Sequence, residues 1–192
     1  MCKLMVDLDG TLFPTYQTLN VIHKVLFKGD EIDWQALPDA TNPYWVTEKG
    51  EWLKGMFNND FFYAELLAYK GAREVLRIWM KNLKNQIIYC SSRSSCLESA
   101  TAYSLGRNNL PYGDIFFVER KGLAKNKLFI VKTEGVDIAI DDEAEIMLEL
   151  KDSCITIIYS QSYNQTYPFG FRVRDWYDVH KIINLRIGME DD

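Results

Sequence analysis

Short apolar runs alternate with amphipathic helical stretches over most of this chain, and that alternation restricts it to very few architectures. Leu4-Met5-Val6 reads as a short strand, stopped by Asp7-Leu8-Asp9-Gly10. From Gly71 the pattern resumes with an amphipathic helix over 72–83, which places Val75, Leu76, Trp79 and Met80 on one side. Strands follow over 86–90, 114–118, 136–140 and 154–159, and helices over 94–105, 125–133, 143–150 and 176–187. Strands separated by helices pair in parallel, because each helix carries the chain back to the same end of the sheet. The expected fold class is therefore α/β, a doubly wound, mostly parallel sheet with helices on both faces.

Residues 16–70 break the alternation. Helices are expected over 16–27 and 48–57, with loops between them and no convincing strand. The stretch holds Trp34, Tyr44, Trp45, Trp52, Phe57, Phe61, Phe62 and Tyr63, with Pro38 and Pro43 among them. The expected organisation is a catalytic core of 1–15 and 71–192, with a small helical cap, 16–70, inserted after the first strand. The 192 residues suffice for one buried core plus such an insertion. There are no internal repeats and no low-complexity segments.

In an open parallel sheet, ligands bind beyond the carboxyl ends of the strands. Asp7 and Asp9, Ser91 and Ser92, and Asp141 and Asp142 all fall directly after apolar runs. Three polar clusters at three strand ends would converge on one crevice. Residues two apart in a strand share a side, so Asp7 and Asp9 can approach one point, and Gly10 lets the backbone turn away. Asp-Gly after a strand is also an ordinary turn. Asp141 and Asp142 brought near them would be costly, since like charges about 4 Å apart repel by roughly 4 kcal/mol at an effective dielectric near 20. A divalent cation relieves that cost, and an all-oxygen ligand set favours Mg²⁺. Locally, Asp142 could instead cap the helix opening at Glu143.

Ser91 and Ser92 follow Ile87-Ile88-Tyr89-Cys90 and precede a helix, a setting whose hydroxyl and backbone N–H groups suit a phosphate oxygen. Ser92 or Ser94 could equally cap that helix, and Arg93 beside them is either a charge partner or solvated. Lys127, fourteen positions before Asp141, could offset the carboxylates, with Lys125 as a second cation; both also fit a solvated surface.

Composition sets outer limits. A formal net charge of -5 argues against a nucleic-acid polymer as partner, because such surfaces need clustered Lys and Arg. No apolar run approaches the roughly 20 residues of a membrane span, and nothing at the N-terminus reads as a signal peptide. The four cysteines, Cys2, Cys90, Cys96 and Cys154, form no metal-spaced set, with Cys90 and Cys154 reading as buried thiols. The expected setting is reducing and cytoplasmic.

In that order, Asp-x-Asp, Ser, Lys and Asp-Asp resemble the four motifs of the haloacid dehalogenase-like phosphatase superfamily, over the whole chain. The resemblance implies a Rossmann-like core of that type. It makes Asp7 the nucleophile that forms an aspartyl-phosphate and Asp9 the acid that protonates the leaving oxygen and then activates water. Ser91 would hydrogen-bond the transferring phosphoryl group, and Lys127 would steady it and Asp7. Mg²⁺ would be held by Asp7, the Asp9 main-chain carbonyl and Asp141, with Asp142 a direct or water-mediated ligand. Gly10, Ser92 and Lys125 would contribute to substrate binding.

Asn58-Asn59-Asp60-Phe61-Phe62 with Leu66, Gly71 and Ala72, together with Ile88-Tyr89-Cys90-Ser91-Ser92, looks like the 5′(3′)-deoxyribonucleotidase family. Ser91 stands where that family usually has Thr, and Lys125-Asn126-Lys127 where it tends to have Arg-x-Lys. Tyr163-Asn164-Gln165 and Arg172-Val173-Arg174-Asp175-Trp176 resemble its closing segment. This implies a phosphomonoesterase acting on (deoxy)nucleoside monophosphates. A base stacked on an aromatic face gains roughly 1–3 kcal/mol, and Phe61 and Phe62 are the first candidates, with Phe13, Trp45 and Trp52 behind them. A small helical cap also needs aromatics for its own core, and such a cap leaves room for a homodimer interface. Two other readings stay open: a phosphatase for another small phosphorylated metabolite, such as a sugar phosphate, or a nucleotide-binding protein without turnover.

Overall fold

The computed structural model describes residues 2–32, 34, 42–82, 84–166 and 170–187; Pro38 and Leu83 lie outside them. Six strands form one sheet: β1 (Lys3–Val6), β2 (Gln86–Ser91), β3 (Asp114–Phe117), β4 (Ile138–Asp141), β5 (Ile155–Tyr159) and β6 (Phe171–Val173). All pair in parallel, in the order β3-β2-β1-β4-β5-β6. The chain builds outward from β1 to β3, then reverses from β4 to β6. The reversal falls between β1 and β4, and in such sheets it opens the crevice where ligands bind. Five of the strands stand where the apolar runs predict them. The sixth was not expected: its three residues include Arg172 and no apolar run, and it exists because β5 offers an edge to pair with.

The four inner strands, β1, β2, β4 and β5, bury both faces, as a sheet covered on two sides must, while the edge strands β3 and β6 are only partly buried. Leu4, Val6, Ile87, Tyr89, Ile138, Ile140, Ile157 and Tyr159 join one core, while Met5, Ile88, Cys90, Ala139 and Ile158 join the other. The second core is closed by α6 (Leu123–Glu134) and α7 (Ala144–Leu150), through Leu123, Val131, Ile146, Met147 and Leu150. The first is closed by α4 (Ala72–Trp79), α5 (Glu98–Arg107) and α8 (Trp176–Ile187). Fully burying one such aliphatic side chain contributes about 1.5–3 kcal/mol.

Helix α6 opens two residues earlier than its periodicity suggests, because Gly122 in the left-handed region (φ +72°) lets the chain enter the helix at Leu123. Strand β4 begins two residues late, since Val136 N still bonds the Val131 carbonyl of that helix.

The inserted segment contributes α1 (Thr15–Leu26), a 3₁₀ turn over Pro43–Val46, α2 (Glu48–Met56) and α3 (Asp60–Glu65). Thr47 caps α2 by accepting from Gly50 N, and Asn59 caps α3 by accepting from Phe62 N. Helix α3 lies on α5, and Leu19, Ile32, Leu53, Phe62 and Tyr63 continue the first core outward. Among the described residues, no helix is long and apolar enough to cross a membrane.

Candidate active site

Register puts the acids together before any side chain is considered. Val6 is level with Tyr89 on one side and with Ile140 on the other. Asp7 N donates to the Ile140 carbonyl at 3.0 Å, so Asp7 stands beside Asp141, the last residue of β4. Lys127, from the second turn of α6, reaches between them. Its Nζ donates to Asp7 Oδ1 and to Asp141 Oδ2, each at 2.6 Å, with the side chain only 1% exposed. Residues 120 and 14 positions apart thus share one ammonium group.

Asp142 completes a buried acidic triad, in which ligand atoms of Asp7, Asp141 and Asp142 lie within 4.8 Å of one another. Burial, then the charge of Asp141, pushes the Asp142 carboxyl up to about 8. Burial also holds Asp7 well above the ordinary carboxylate range, with Lys127 opposing and Asp141 and Asp142 adding to the rise. Lys127 is driven the other way: burial disfavours its charge, but Asp141 and Asp7 more than offset that and raise its pKa well above normal. Neighbouring carboxylates contribute to all three shifts, after burial in the two acids. One ammonium faces three carboxylates, and the all-oxygen donor set fits a hard divalent cation.

Asp142 does not cap α7, whose N-terminus has no side-chain cap. It is Asp141 that accepts locally, from Glu143 N at 2.9 Å. Asp142 instead accepts from Thr11 Oγ1 at 3.0 Å and from the Tyr163 hydroxyl. Gly10, at φ +91°, passes so close that an added Cβ would meet Asp142 Oδ2 at 2.5 Å and the Tyr163 hydroxyl at 2.8 Å. Only glycine fits that turn. Gln161 Nε2 donates to the Gly10 carbonyl, and Asn164 Nδ2 donates to the Asp142 carbonyl at 2.7 Å.

Asp9 meets Arg93, not the triad. Arg93 Nε donates to Asp9 Oδ2 and Nη2 to Oδ1, both at 2.7 Å, and Thr15 Oγ1 donates to Oδ1. Ser91 ends β2 and its Oγ accepts from Arg93 N at 3.1 Å. Ser94, rather than Ser92, caps the turn that leads into α5. Ser92 Oγ accepts from Arg120 Nη1 at 3.3 Å, and Arg120 also reaches Glu143 at 3.2 Å.

Above these residues lies a cleft of about 770 Å³. Asp9, Ser92, Arg93 and Asp142 line its base, and Arg120, Glu143, Glu145 and Asn58 its polar sides. The aromatic wall is Tyr16, Trp34, Trp45, Phe57, Tyr63 and Tyr163. The residues first expected to stack on a base are not among these. Phe61 is 75% exposed and Phe62 is 7% exposed within the core, and neither lines the cleft, because α3 turns Phe62 and Tyr63 inward against α5 and leaves Phe61 on its outer side. Trp45 lines the cleft, whereas Phe13 and Trp52 do not. Lys125 is exposed and also absent from the lining, so the cation at the mouth is Arg120. Sequence reasoning missed Arg120, whose only signal is its place just after β3. It noticed Tyr163 and Asn164 only as part of a closing segment.

A family model described as "5′ nucleotidase, deoxy (Pyrimidine), cytosolic type C protein" matches residues 1–188. "Putative nucleotidase BH1399" of Halalkalibacterium halodurans is 23% identical over 138 residues, which span 72% of this chain and 68% of that protein. A HAD-family hydrolase from Deinococcus radiodurans, crystallised with bound phosphate and sodium, superposes with a TM-score of 0.63 at 14% identity over 95% of each chain. L-2-haloacid dehalogenase from Xanthobacter autotrophicus, with chloropropionic acid covalently bound, gives 0.62 at 13% identity, over 96% of this chain and 99% of that one. At these identities the structural likeness establishes the fold.

Proposed function

The chain belongs to the cytosolic type C family of 5′ nucleotidases and is a phosphoric monoester hydrolase with the haloacid dehalogenase fold, and from that premise we propose that it removes phosphate from deoxyribonucleoside monophosphates through an aspartyl-phosphate on Asp7. The carrying observation is Lys127 held between Asp7 and Asp141 under the cleft, at the point where strand order reverses.

Asp7 Oδ forms the new bond to phosphorus, and the bond to the leaving oxygen breaks as Asp9 supplies a proton. Asp9, then ionised, takes a proton from water, whose oxygen displaces Asp7 from phosphorus. A carboxylate attacking a phosphate dianion is repelled, so charge must be cancelled first. Lys127 supplies one positive charge next to Asp7. Mg²⁺ fits the remaining deficit; Asp7, Asp141 and the Asp9 carbonyl would hold it, and when bound it supplies electrostatic support for the phosphoryl oxygens. Both Asp142 oxygens already accept hydroxyls, which supports a water-mediated role for that residue. Ser91 and Ser92 remain the phosphate donors of this reading.

We also read 16–70 as a cap over the core of 1–15 and 71–192, supported by Tyr16, Trp34, Trp45 and Phe57 on the cleft wall. Phosphate release across nucleotides and sugar phosphates, with Mg²⁺ and with EDTA, tests the proposal. A deoxyribonucleoside monophosphate should lead the panel and fail with EDTA, and a profile led by sugar phosphates would reject the substrate assignment.

A further inference from the structure

An ionised carboxylate offers about four lone-pair positions. At Asp9, three are taken by protein donors: Arg93 Nη2 and Thr15 Oγ1 on Oδ1, and Arg93 Nε on Oδ2. One position remains, and it is on Oδ2. Asp9 keeps 16% of its side chain exposed and lines the cleft, so a ligand there can approach the carboxyl.

Arg93 is itself immobilised from three directions. Its Nη1 donates to Thr101 Oγ1 of α5 at 3.1 Å. Its Cζ lies 4.3 Å from the Tyr63 ring centre on α3 and 5.4 Å from that of Phe13 in the loop after β1. It borders the base of the cleft, but its side chain is 1% exposed, so it offers a ligand almost no surface. A buried guanidinium whose planar fork spans both oxygens sets the plane of the carboxyl, which a lysine's single ammonium would not do.

We infer that Arg93 is a positioning residue for the acid–base step, holding the Asp9 carboxyl so that Oδ2 is the oxygen that gives a proton to the substrate's leaving oxygen and later takes one from water. The inference rests on the roles assigned to Asp7 and Asp9 above. It separates Arg93 from Arg120, which stands at the cleft mouth with its guanidinium open to a ligand.

A sugar alkoxide must be protonated as it leaves, whereas p-nitrophenolate leaves as a stable anion. The test compares kcat/KM for dTMP and for p-nitrophenyl phosphate on the same preparation, so that any unfolded fraction cancels in the ratio. Wild type, Arg93→Met, Arg93→Lys and Asp9→Asn are measured. Since general acid catalysis contributes about 10²–10⁴-fold, the dTMP to p-nitrophenyl phosphate ratio should drop by about 30-fold or more in Arg93→Met, in the same direction as in Asp9→Asn. Arg93→Lys should fall between Arg93→Met and wild type, because it restores charge without the fork. A ratio that stays at the wild-type value while both activities fall together would overturn the inference and leave the function intact. A wild-type protein that turns over neither substrate would instead remove the premise.

Discussion

Beneath the cleft, Lys127 is pinned between Asp7 and Asp141 at 2.6 Å each, while on its wall Tyr16 meets Trp34 and Tyr163 edge-on at 5.1 and 5.8 Å between ring centres. The floor is polar and largely buried, and its charged groups hold one another, so removing one strands another. The wall is apolar and spread over six rings, where neighbouring rings cover for one another. A site built this way should lose everything from a single change below and only affinity from a change above.

The sharpest break is Asp7→Asn. It keeps shape but removes the nucleophile, and kcat should fall by at least about 10³-fold, measured as phosphate release from dTMP. Next, Lys127→Met leaves two buried carboxylates facing each other without their cation, and urea unfolding of the metal-free protein should show a loss of about 3–5 kcal/mol.

Mg²⁺ should act on the same floor. It stabilises the folded state by about 2.7 kcal/mol at one hundred times its Kd. Asp142 titrates near 8 in the fold and near 3.8 when unfolded, so its contribution to stability is lost as pH rises from about 4 to about 8. The rise in Tm produced by Mg²⁺ should therefore be larger at pH 8 than at pH 6.

On the wall, Tyr16→Leu should raise KM for a nucleotide by about 5–150-fold, matching a stacking loss of roughly 1–3 kcal/mol, with kcat little changed. Smallest of all, Phe61→Ser should leave KM unchanged and shift stability by no more than about 0.5 kcal/mol, because its ring already faces solvent. An effect at Phe61 comparable to that at Tyr16 would break the contrast.

The floor was the legible half. Asp7, Ser91 and Asp141 each follow an apolar run, and a parallel sheet brings such positions to one lip whatever the rest of the chain does. The wall was much less so. Helical periodicity places aromatics in the inserted segment but does not say which way a six-residue helix such as α3 rolls, so Phe61 and Phe62 stood first and Tyr16 and Tyr63 were not singled out. Strand β6 was hidden for a related reason: three residues carry no pattern of their own, and the edge of β5 makes them a strand.

From sequence alone, the alternation of runs set the doubly wound sheet, and the acids at strand ends set where chemistry would gather, because both depend on period and order along the chain. Tertiary structure alone decided that Arg93 grips Asp9 across 84 residues, that Tyr163 and Thr11 take the two oxygens of Asp142, and that Arg120 rather than Lys125 stands at the mouth. Those pairings are choices among side chains of similar type, made by distances of a few ångströms that exist only once the helices have packed.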